Sequence, residues 1–445
     1  MDIPKKVAYI LSRLEAQGYE AYAVGGCVRD SLLGREPKDW DITTSASPGE
    51  VKRVFSKTID TGIQHGTVTV MIDREGFEVT TYRIDGNYSD GRHPDSVCFT
   101  SDLLEDLRRR DFTMNAMAYN PSKGIVDVFG GQKDLQSGVI RCVGCPEERF
   151  TEDALRMLRA IRFSAQLGFA IEEQTKQAIE KLAPNLQKVS RERIQVEMIK
   201  LLISPHPERI RIAWETGIMT WVMPEFNRMM EQPQNNPYHC YDVGTHTIVM
   251  LQNIPADKIL RLTALFHDMG KPDTCSLTED GETHFYNHAA RSAVLAEKRM
   301  RDWKLDNDTI AQVTTLVAYH SYPFRRDKRM IRRVMNKVGE ELFLPLMEVM
   351  RADTLAKSDY TRQERLDDID AIIGLYQEIL ESKECFRMRD LAVNGRDLIQ
   401  AGMKPGKELG SVLQNMLEHV LDHPEDNKKE ILFRKFAAEA VNEII

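Results

Sequence analysis

The sequence predicts an α+β protein: a small mixed α/β head followed by a long, almost wholly helical remainder. Two observations carry this. AYAVGG, DWDITT, HGTVTVMID and FEVTTYRID are β-branched or alternating and are bounded by Gly, Pro and Asp, as strands are. From near Arg149 onward apolar residues recur at helical period, with one short hairpin expected around CSLTEDGETHF. A chain of 445 residues is also too long for one core, so two to four domains are expected.

The elements follow in order. Residues 4–17 form an amphipathic helix pattern rather than a signal peptide. Residues 49–56 form a second helix, with Ser47 suited to the N-cap and Pro48 to the first helical position. Polar and glycine-bearing loops then divide the helical part: EQPQNNPYHC at 231–240, the basic SYPFRRDKR at 321–329, and LAVNGRDLIQAGMKPGKELG at 391–410. Four segments are expected, 1–145, 146–230, 231–375 and 376–445, on the resemblances described below. No solenoid repeat or low-complexity tract is present.

Composition excludes several classes. No apolar run approaches the ~20 residues that span a bilayer, so no membrane partner is expected. The net charge of -8 argues against indiscriminate nucleic-acid binding but leaves room for local basic patches. Seven scattered cysteines suit a reducing cytoplasm better than a disulfide framework. The lone Cys142–Cys145 pair, without a second pair, reads as coincidence rather than a zinc or redox motif.

VGGCVRDSLLGREPKDWDITT carries the first chemical signal. Asp39 and Asp41 are two apart, and on a strand that spacing turns both carboxylates to one face. A solvated strand edge would also explain them. The alternative is a divalent cation such as Mg²⁺, which takes oxygen ligands beside waters and phosphates. Two such ions could activate an attacking hydroxyl and stabilise a leaving pyrophosphate. Gly25 and Gly26 let the backbone approach a phosphate chain, and Arg29 could give it a bidentate guanidinium. The stretch matches neither G-x-G-x-x-G nor the P-loop. Trp40 should point to the opposite face, into the core. Glu78, alternating with Thr80 and Tyr82, is either the third carboxylate of a metal site or a plain surface glutamate.

GGCVRDSLLG…DWDI, HGTV, EVTTYR, DLRRRDFTMNA and RFTEDALRMLRAIRF occur in the order found in the class II CCA-adding enzymes (tRNA nucleotidyltransferases) and their relatives the bacterial poly(A) polymerases. The resemblance covers roughly the first half of the chain. It implies a polymerase-β-like nucleotidyltransferase head at 1–145 and a helical, base-reading neck at 146–230. It implies untemplated addition of CCA to tRNA lacking a complete 3′ end, from CTP and ATP, with release of pyrophosphate.

Within that resemblance Asp153 and Arg156, taken as i and i+3 on one helix face, would read the base. A carboxylate accepts from the N4 or N6 amine, and a guanidinium donates to N3 or N1. Uracil and guanine would oppose a carbonyl to the carboxylate. The same pair could be an ordinary salt bridge. Arg159 and Arg162 continue the stripe and resemble nucleotide-binding residues, as do Gly26, Arg29 and Arg110. Asp111 and Asn115 would organise the turn between head and neck. The irregular 85–97 loop resembles the flexible loop needed for the final A, which CC-only enzymes lack. The basic G-[KR]-[KR]-F run of poly(A) polymerases is absent after HGTV. A-only addition and poly(A) synthesis remain the alternatives.

The second half resembles the HD metal-dependent phosphohydrolases. His246, His267, Asp268 and Asp353 follow that order, with Lys271 placed to meet a phosphate and His288 and His320 to line the site or complete a second metal. Imidazole with carboxylate suits Mn²⁺, Ni²⁺, Fe²⁺ or Zn²⁺, and hydrolysis could even be the main activity. A tail at 376–445 is expected to bind tRNA. Basic stretches at 186–200, 324–337 and 395–407 offer phosphate contacts.

Overall fold

The structure is a computed structural model describing residues 1–86 and 97–437. The expected 85–97 loop therefore lies largely outside the described residues. The chain forms two compact units: Met1–Asn227 with Asp302–Lys304, and Arg228–Arg301 with the residues from Leu305 onward.

The first unit is built on a seven-stranded sheet. In chain order the strands are β1 (Ala21–Val24), β2 (Ile42–Thr44), β3 (Thr58–Gly62), β4 (Thr67–Ile72), β5 (Glu75–Thr81), β6 (Arg83–Asp85), β7 (Val97–Phe99), β8 (Ala118–Asn120) and β9 (Gly124–Val126). The sheet order is β3-β4-β5-β2-β1-β8-β9, and β6 pairs with β7 as a separate ribbon. Only β2 and β5 run parallel in the large sheet, with Ile42 opposite Val79.

Period-two alternation gives each face its own cover. Ile42, Val68, Val70, Phe77 and Val79 pack beneath Val7, Ile10, Leu11 and Leu14 of helix Lys5–Glu15 and beneath Val51 and Phe55. Each such side chain contributes roughly 1.5–3 kcal/mol by leaving water. Ser47 and Glu50 close a capping box at the start of helix Pro48–Val54, as the sequence predicts. Trp40 is partly buried against this same core. The opposite face carries Tyr22, Val24, Tyr82 and Ala118 beneath Leu103 and Leu107 of helix Leu103–Arg108. Glu78 and Thr80, between the buried Phe77, Val79 and Thr81, turn to this second face.

The unit continues through helices Pro146–Glu152, Leu155–Leu167, Glu173–Leu182 and Arg191–Leu202. Leu155–Leu167 ends at Gly168, whose φ of 76° makes the left-handed cap that glycine favours.

The second unit is helical among its described residues apart from the hairpin Cys275–Leu277 with Thr283–Phe285, where the sequence places it. Its core gathers Ile331, Phe343, Ile372, Tyr376 and Leu417 from helices Lys328–Val338, Glu340–Leu355, Arg362–Glu381 and Lys407–Asp422. All seven cysteines are free. No described helix is long and apolar enough to cross a membrane.

Candidate nucleotidyl-transfer and metal sites

Asp39 and Asp41 do not lie on a strand, which corrects the sequence expectation. β2 begins at Ile42, and the aspartates occupy the extended run leading into it. Val24 N–H donates to Asp41 O at 2.9 Å, but β1 stops there and Gly25 turns away, so residues 39 and 40 have no ladder partner from β1. The alternation survives: Trp40 and Ile42 face the first core, while Asp39 and Asp41 are exposed.

The parallel register of β2 and β5 carries Glu78 toward the pair. Burial raises the Glu78 carboxyl above its ordinary value, and the charges of Asp41 and Asp39 raise it further. Asp41, though its side chain reaches solvent, is crowded enough by surrounding protein for desolvation to raise it; Arg110 opposes that shift and Asp39 adds to it. Three carboxylates and one guanidinium thus share one electrostatic field on the second face of the sheet.

Arg110 is held by a residue that the sequence reading missed. Asp106 is fully buried and lies 3.5 Å from Arg110 Nη2; it accepts from Arg109 at 2.7 and 3.0 Å and from Thr43 Oγ1 at 3.1 Å. Burial works to raise its carboxyl, but Arg109 and Arg110 prevail and hold it below the ordinary value. Arg110 Nε is buried without a hydrogen-bond partner among the described residues, leaving one donor uncommitted.

The glycine that this geometry requires is Gly25 rather than Gly26. Gly25 sits at φ 80°, ψ -126°, a region closed to other residues. A Cβ there would stand 3.0 Å from Arg110 Nη1, whereas one on Gly26 would meet only Arg29 Nη2 at 3.7 Å. Gly25→Ala is therefore expected to cost about 1–3 kcal/mol and to push Arg110 aside. Thermal unfolding should show the lower stability, and incorporation kinetics a raised nucleotide KM.

Arg29 is anchored three ways. It donates to Asn115 Oδ1 at 2.7 Å and to Asp30 Oδ1 at 2.8 Å, and stands 5.0 Å over the Phe163 ring. Arg159 and Arg162 share that ring, at 5.5 and 3.8 Å. A π face attracts each cation by about 0.5–2 kcal/mol. Asp111 accepts from Arg159 Nε at 2.8 Å and from Asn115 Nδ2 at 3.1 Å. Burial opposes its charge, but Arg159 and these hydrogen bonds lower the carboxyl to about 2. Asp111 and Asn115 thus link Arg29 to Arg159.

Asp153 and Arg156 do not share a helix face. Asp153 is extended, at φ -143° and ψ 103°, in the break between Pro146–Glu152 and Leu155–Leu167. Its carboxylate accepts from Leu155 N–H at 3.1 Å, the local competition with helix bonding that aspartate favours. Arg156 turns to Glu152 and to the carbonyls of Arg149 and Arg109, both at 3.1 Å. Arg162 is no exposed stripe residue. It is buried, paired with Glu197 and donating to Gln166 Oε1 at 2.7 Å.

In the second unit the structure brings every expected metal ligand together. His246 lies on helix Val243–Asn253, His267 and Asp268 follow helix Lys258–Phe266, and Asp353 lies on helix Glu340–Leu355. His246 Nε2 is 3.2 Å from His267 Nε2 and 3.0 Å from Asp353 Oδ1. His267 Nε2 is 3.1 Å from Asp268 Oδ2. His288 and His320 approach the other oxygen of Asp268, each at 3.5 Å, and stand 3.3 Å apart. Two candidate ligand groups therefore meet at Asp268: one with His246 and His267, the other with His288 and His320.

The donor set suits cations. Each imidazole places Nδ1 on a backbone carbonyl: Ala356 for His246, Ala264 for His267, Phe285 for His288 and Val317 for His320. Three of these carbonyls lie three residues upstream: Ala264 and Val317 in the last turns of helices, where carbonyls lack intrahelical partners, and Phe285 at the end of a hairpin strand. A carbonyl fixes hydrogen on Nδ1 and leaves Nε2 a lone pair. Those lone pairs face the buried carboxylate of Asp268, which has the Lys271 ammonium as its close cation. Acceptors facing acceptors in a buried space are stabilised by divalent ions, and imidazole with carboxylate suits them.

Lys271 Nζ lies 2.7 Å from Asp268 Oδ2 and donates to Gln234 at 2.7 Å. A cavity of about 410 Å³ opens beside the cluster, lined also by His239, Lys357 and Arg365. His239 and Gln234 come from the 231–240 loop, where the sequence carried only a loop signal. Lys357 pairs with Asp353.

Residues 21–141 match the family described as "Poly A polymerase head domain". Residues 168–230 match "Probable RNA and SrmB- binding site of polymerase A", and residues 283–436 match a family of tRNA nucleotidyltransferase domain 2. A protein of Lactobacillus helveticus (strain DPC 4571) named "CCA-adding enzyme" is 37% identical over 92% of this chain and 90% of its own length. The crystal structure of the Bacillus stearothermophilus CCA-adding enzyme in complex with CTP is 30% identical, with a TM-score of 0.71 over 99% of both chains. The Thermotoga maritima CCA-adding enzyme complexed with tRNA shares the fold, at 21% identity and a TM-score of 0.59 over 100% of this chain and 97% of its own.

Proposed function

Because the chain belongs to the CCA-adding enzymes, the tRNA nucleotidyltransferases, we propose that Asp39, Asp41 and Glu78 form the centre at which it joins C, C and A to the tRNA 3′ end. CTP, ATP and a tRNA lacking its complete end are the substrates. The observation that carries the assignment is the parallel register that brings Glu78 beside Asp41, where Asp41 and Asp39 raise the Glu78 carboxyl and Arg110 acts on Asp41. The three carboxylates would hold Mg²⁺, which when bound supplies activation of the attacking hydroxyl and charge for the leaving pyrophosphate.

The remaining roles belong to the chain's own groups. Arg110 brings a charge and an uncommitted N–H to the triphosphate, and Arg29 a second charge beside the Gly26 backbone. Arg159, held against Phe163, extends the positive wall, while Arg162, expected there from the sequence, is buried against Glu197 and supports it from behind. Asp153 would accept the N4 or N6 amine and Arg156 would donate to N3 or N1, so that C and A satisfy the same pair while U and G do not. In functional terms the first unit divides into a head, 1–145, and a base-reading neck, 146–230. The second divides into an HD-type segment, 231–375, and a tRNA-binding tail, 376–445. A cytoplasmic location fits the free cysteines.

One assay tests the reading. The protein is incubated with Mg²⁺, labelled CTP or ATP, and tRNAs ending before CCA, after C and after CC, and the 3′ ends are sequenced. Restoration that stops after A is expected. Long A tails would replace the reading with poly(A) synthesis, and A incorporation without C would make it an A-adding enzyme.

A second activity rests on the second unit. The Asp268 cluster with Lys271 and the adjoining cavity favours hydrolysis of a phosphate ester. Mn²⁺, Ni²⁺, Fe²⁺ or Zn²⁺ would be held by His246, His267, Asp268 and Asp353, with His288 and His320 about a second ion.

A further inference from the structure

We infer that Arg193 is a positioning residue for base selection, acting through Asp153. The inference rests on the proposed role of Asp153 and deepens it. Arg193 stands on helix Arg191–Leu202, forty residues further along the chain, and forks onto the Asp153 carboxylate: Nη1 to Oδ1 at 3.2 Å and Nη2 to Oδ2 at 2.7 Å. A two-point guanidinium contact fixes the plane of a carboxylate as well as its place.

The arithmetic of acceptors gives this contact its meaning. A carboxylate offers about four lone-pair sites. Arg193 uses one on each oxygen, and Leu155 N–H uses the second site on Oδ1. One site remains, on Oδ2, which suits one N–H of an exocyclic amine. Asp153 lies in a break between helices, outside any ladder of backbone bonds, so its side-chain partners set its direction. Without Arg193 the carboxylate could rotate and present either oxygen, and selection would loosen.

The helix that carries Arg193 makes two contacts of opposite polarity, one just before the start of helix Leu155–Leu167 and one on it. Arg193 holds Asp153, and Glu197, one turn later on the same face, holds Arg162. Two pairs of opposite sign hold this helix to the segment that carries Asp153 and Arg162.

The test is steady-state incorporation with CTP, ATP and UTP for Arg193→Gln and Arg193→Lys, with Asp153→Ala as reference and melting temperatures as the control for folding. Misplacing a reacting or reading group by about 1 Å costs on the order of 100-fold. Arg193→Gln is expected to narrow the CTP-over-UTP ratio of kcat/KM by about 10- to 100-fold, mostly through a raised KM for CTP. Arg193→Lys, which keeps charge but not the fork, should recover only part of the ratio. An equal loss for all nucleotides would make Arg193 merely structural and overturn the inference. So would a lowered KM for CTP, the mark of an arginine that blocks the carboxylate. If Asp153→Ala itself leaves the ratio intact, it is the base-reading role of Asp153 that fails. If Asp153→Ala collapses the ratio and Arg193→Gln does not, the inference alone fails. Should Arg193→Gln not fold, Arg193→Lys carries the same test.

Discussion

Asp41→Asn is expected to lower CMP and AMP incorporation about 1,000-fold or more without weakening the fold. Held metals supply several kcal/mol to the transition state, and each 1.36 kcal/mol is a factor of ten. Asparagine keeps the shape of aspartate but loses the charge that a hard cation needs. Stability moves the other way. Asp41 and Glu78 have raised carboxyls, so their ionised forms are disfavoured in the metal-free fold. What they contribute is present below the ordinary carboxylate pKa and is lost as pH rises through the raised values. At neutral pH, removing one charge relieves the cluster. Melting in EDTA should therefore place the variant at or above the parent. Incorporation by the parent should fall on the acid side from a pH above the ordinary carboxylate range, and added Mg²⁺ should move that fall to lower pH. A variant that loses activity and melts lower in EDTA would show Asp41 to be a structural residue instead.

Asp268→Asn is expected to abolish metal binding in the second unit while CCA addition continues. The two ligand groups share this residue, so one substitution disables both. A bound ion at 100 times its Kd stabilises the native state by about 2.7 kcal/mol, which for a unit of this size shifts melting by roughly 5–10 °C. The parent should show such a shift with Mn²⁺ and the variant none. Without metal the variant should melt lower than the parent, because the Asp268 carboxylate is held well below its ordinary value and its loss leaves the buried Lys271 ammonium without its partner. Hydrolysis of a phosphomonoester or cyclic phosphate should vanish, and tRNA end repair should not. A parent with no Mn²⁺ response would end the metal reading; a variant that also stops adding CCA would end the picture of two separate chemistries.

The order GGCVRD, DWD, EVTTYR and RFTEDALR made the head and its carboxylates legible, because each signal is local. The hairpin at 275–285 and the capping box at Ser47 were legible for the same reason. The errors arose where structure depends on distant partners. Asp39 and Asp41 have strand spacing, but strand status requires a neighbour, and β1 ends before it can pair with them. EDALRMLRAIR has helical period throughout, yet Asp153 bonds to Leu155 N–H and interrupts the helix. Asp106, Arg193 and Glu197 carried no signal, since each works through residues far away in the chain or on another element. The histidines were legible by order along the chain. Their shared tautomer was not, because it depends on which carbonyls the helix ends leave free.

Each arginine of the proposed nucleotide path already has an acid: Arg29 has Asp30, Arg110 has Asp106, Arg156 has Glu152, Arg159 has Asp111 and Arg162 has Glu197. A guanidinium in such a pair holds a second anion less tightly than a bare one, because the carboxylate has taken part of its field. The site is therefore preset in shape and moderate in grip. That moderation bears on turnover, because three additions in succession require pyrophosphate to leave three times.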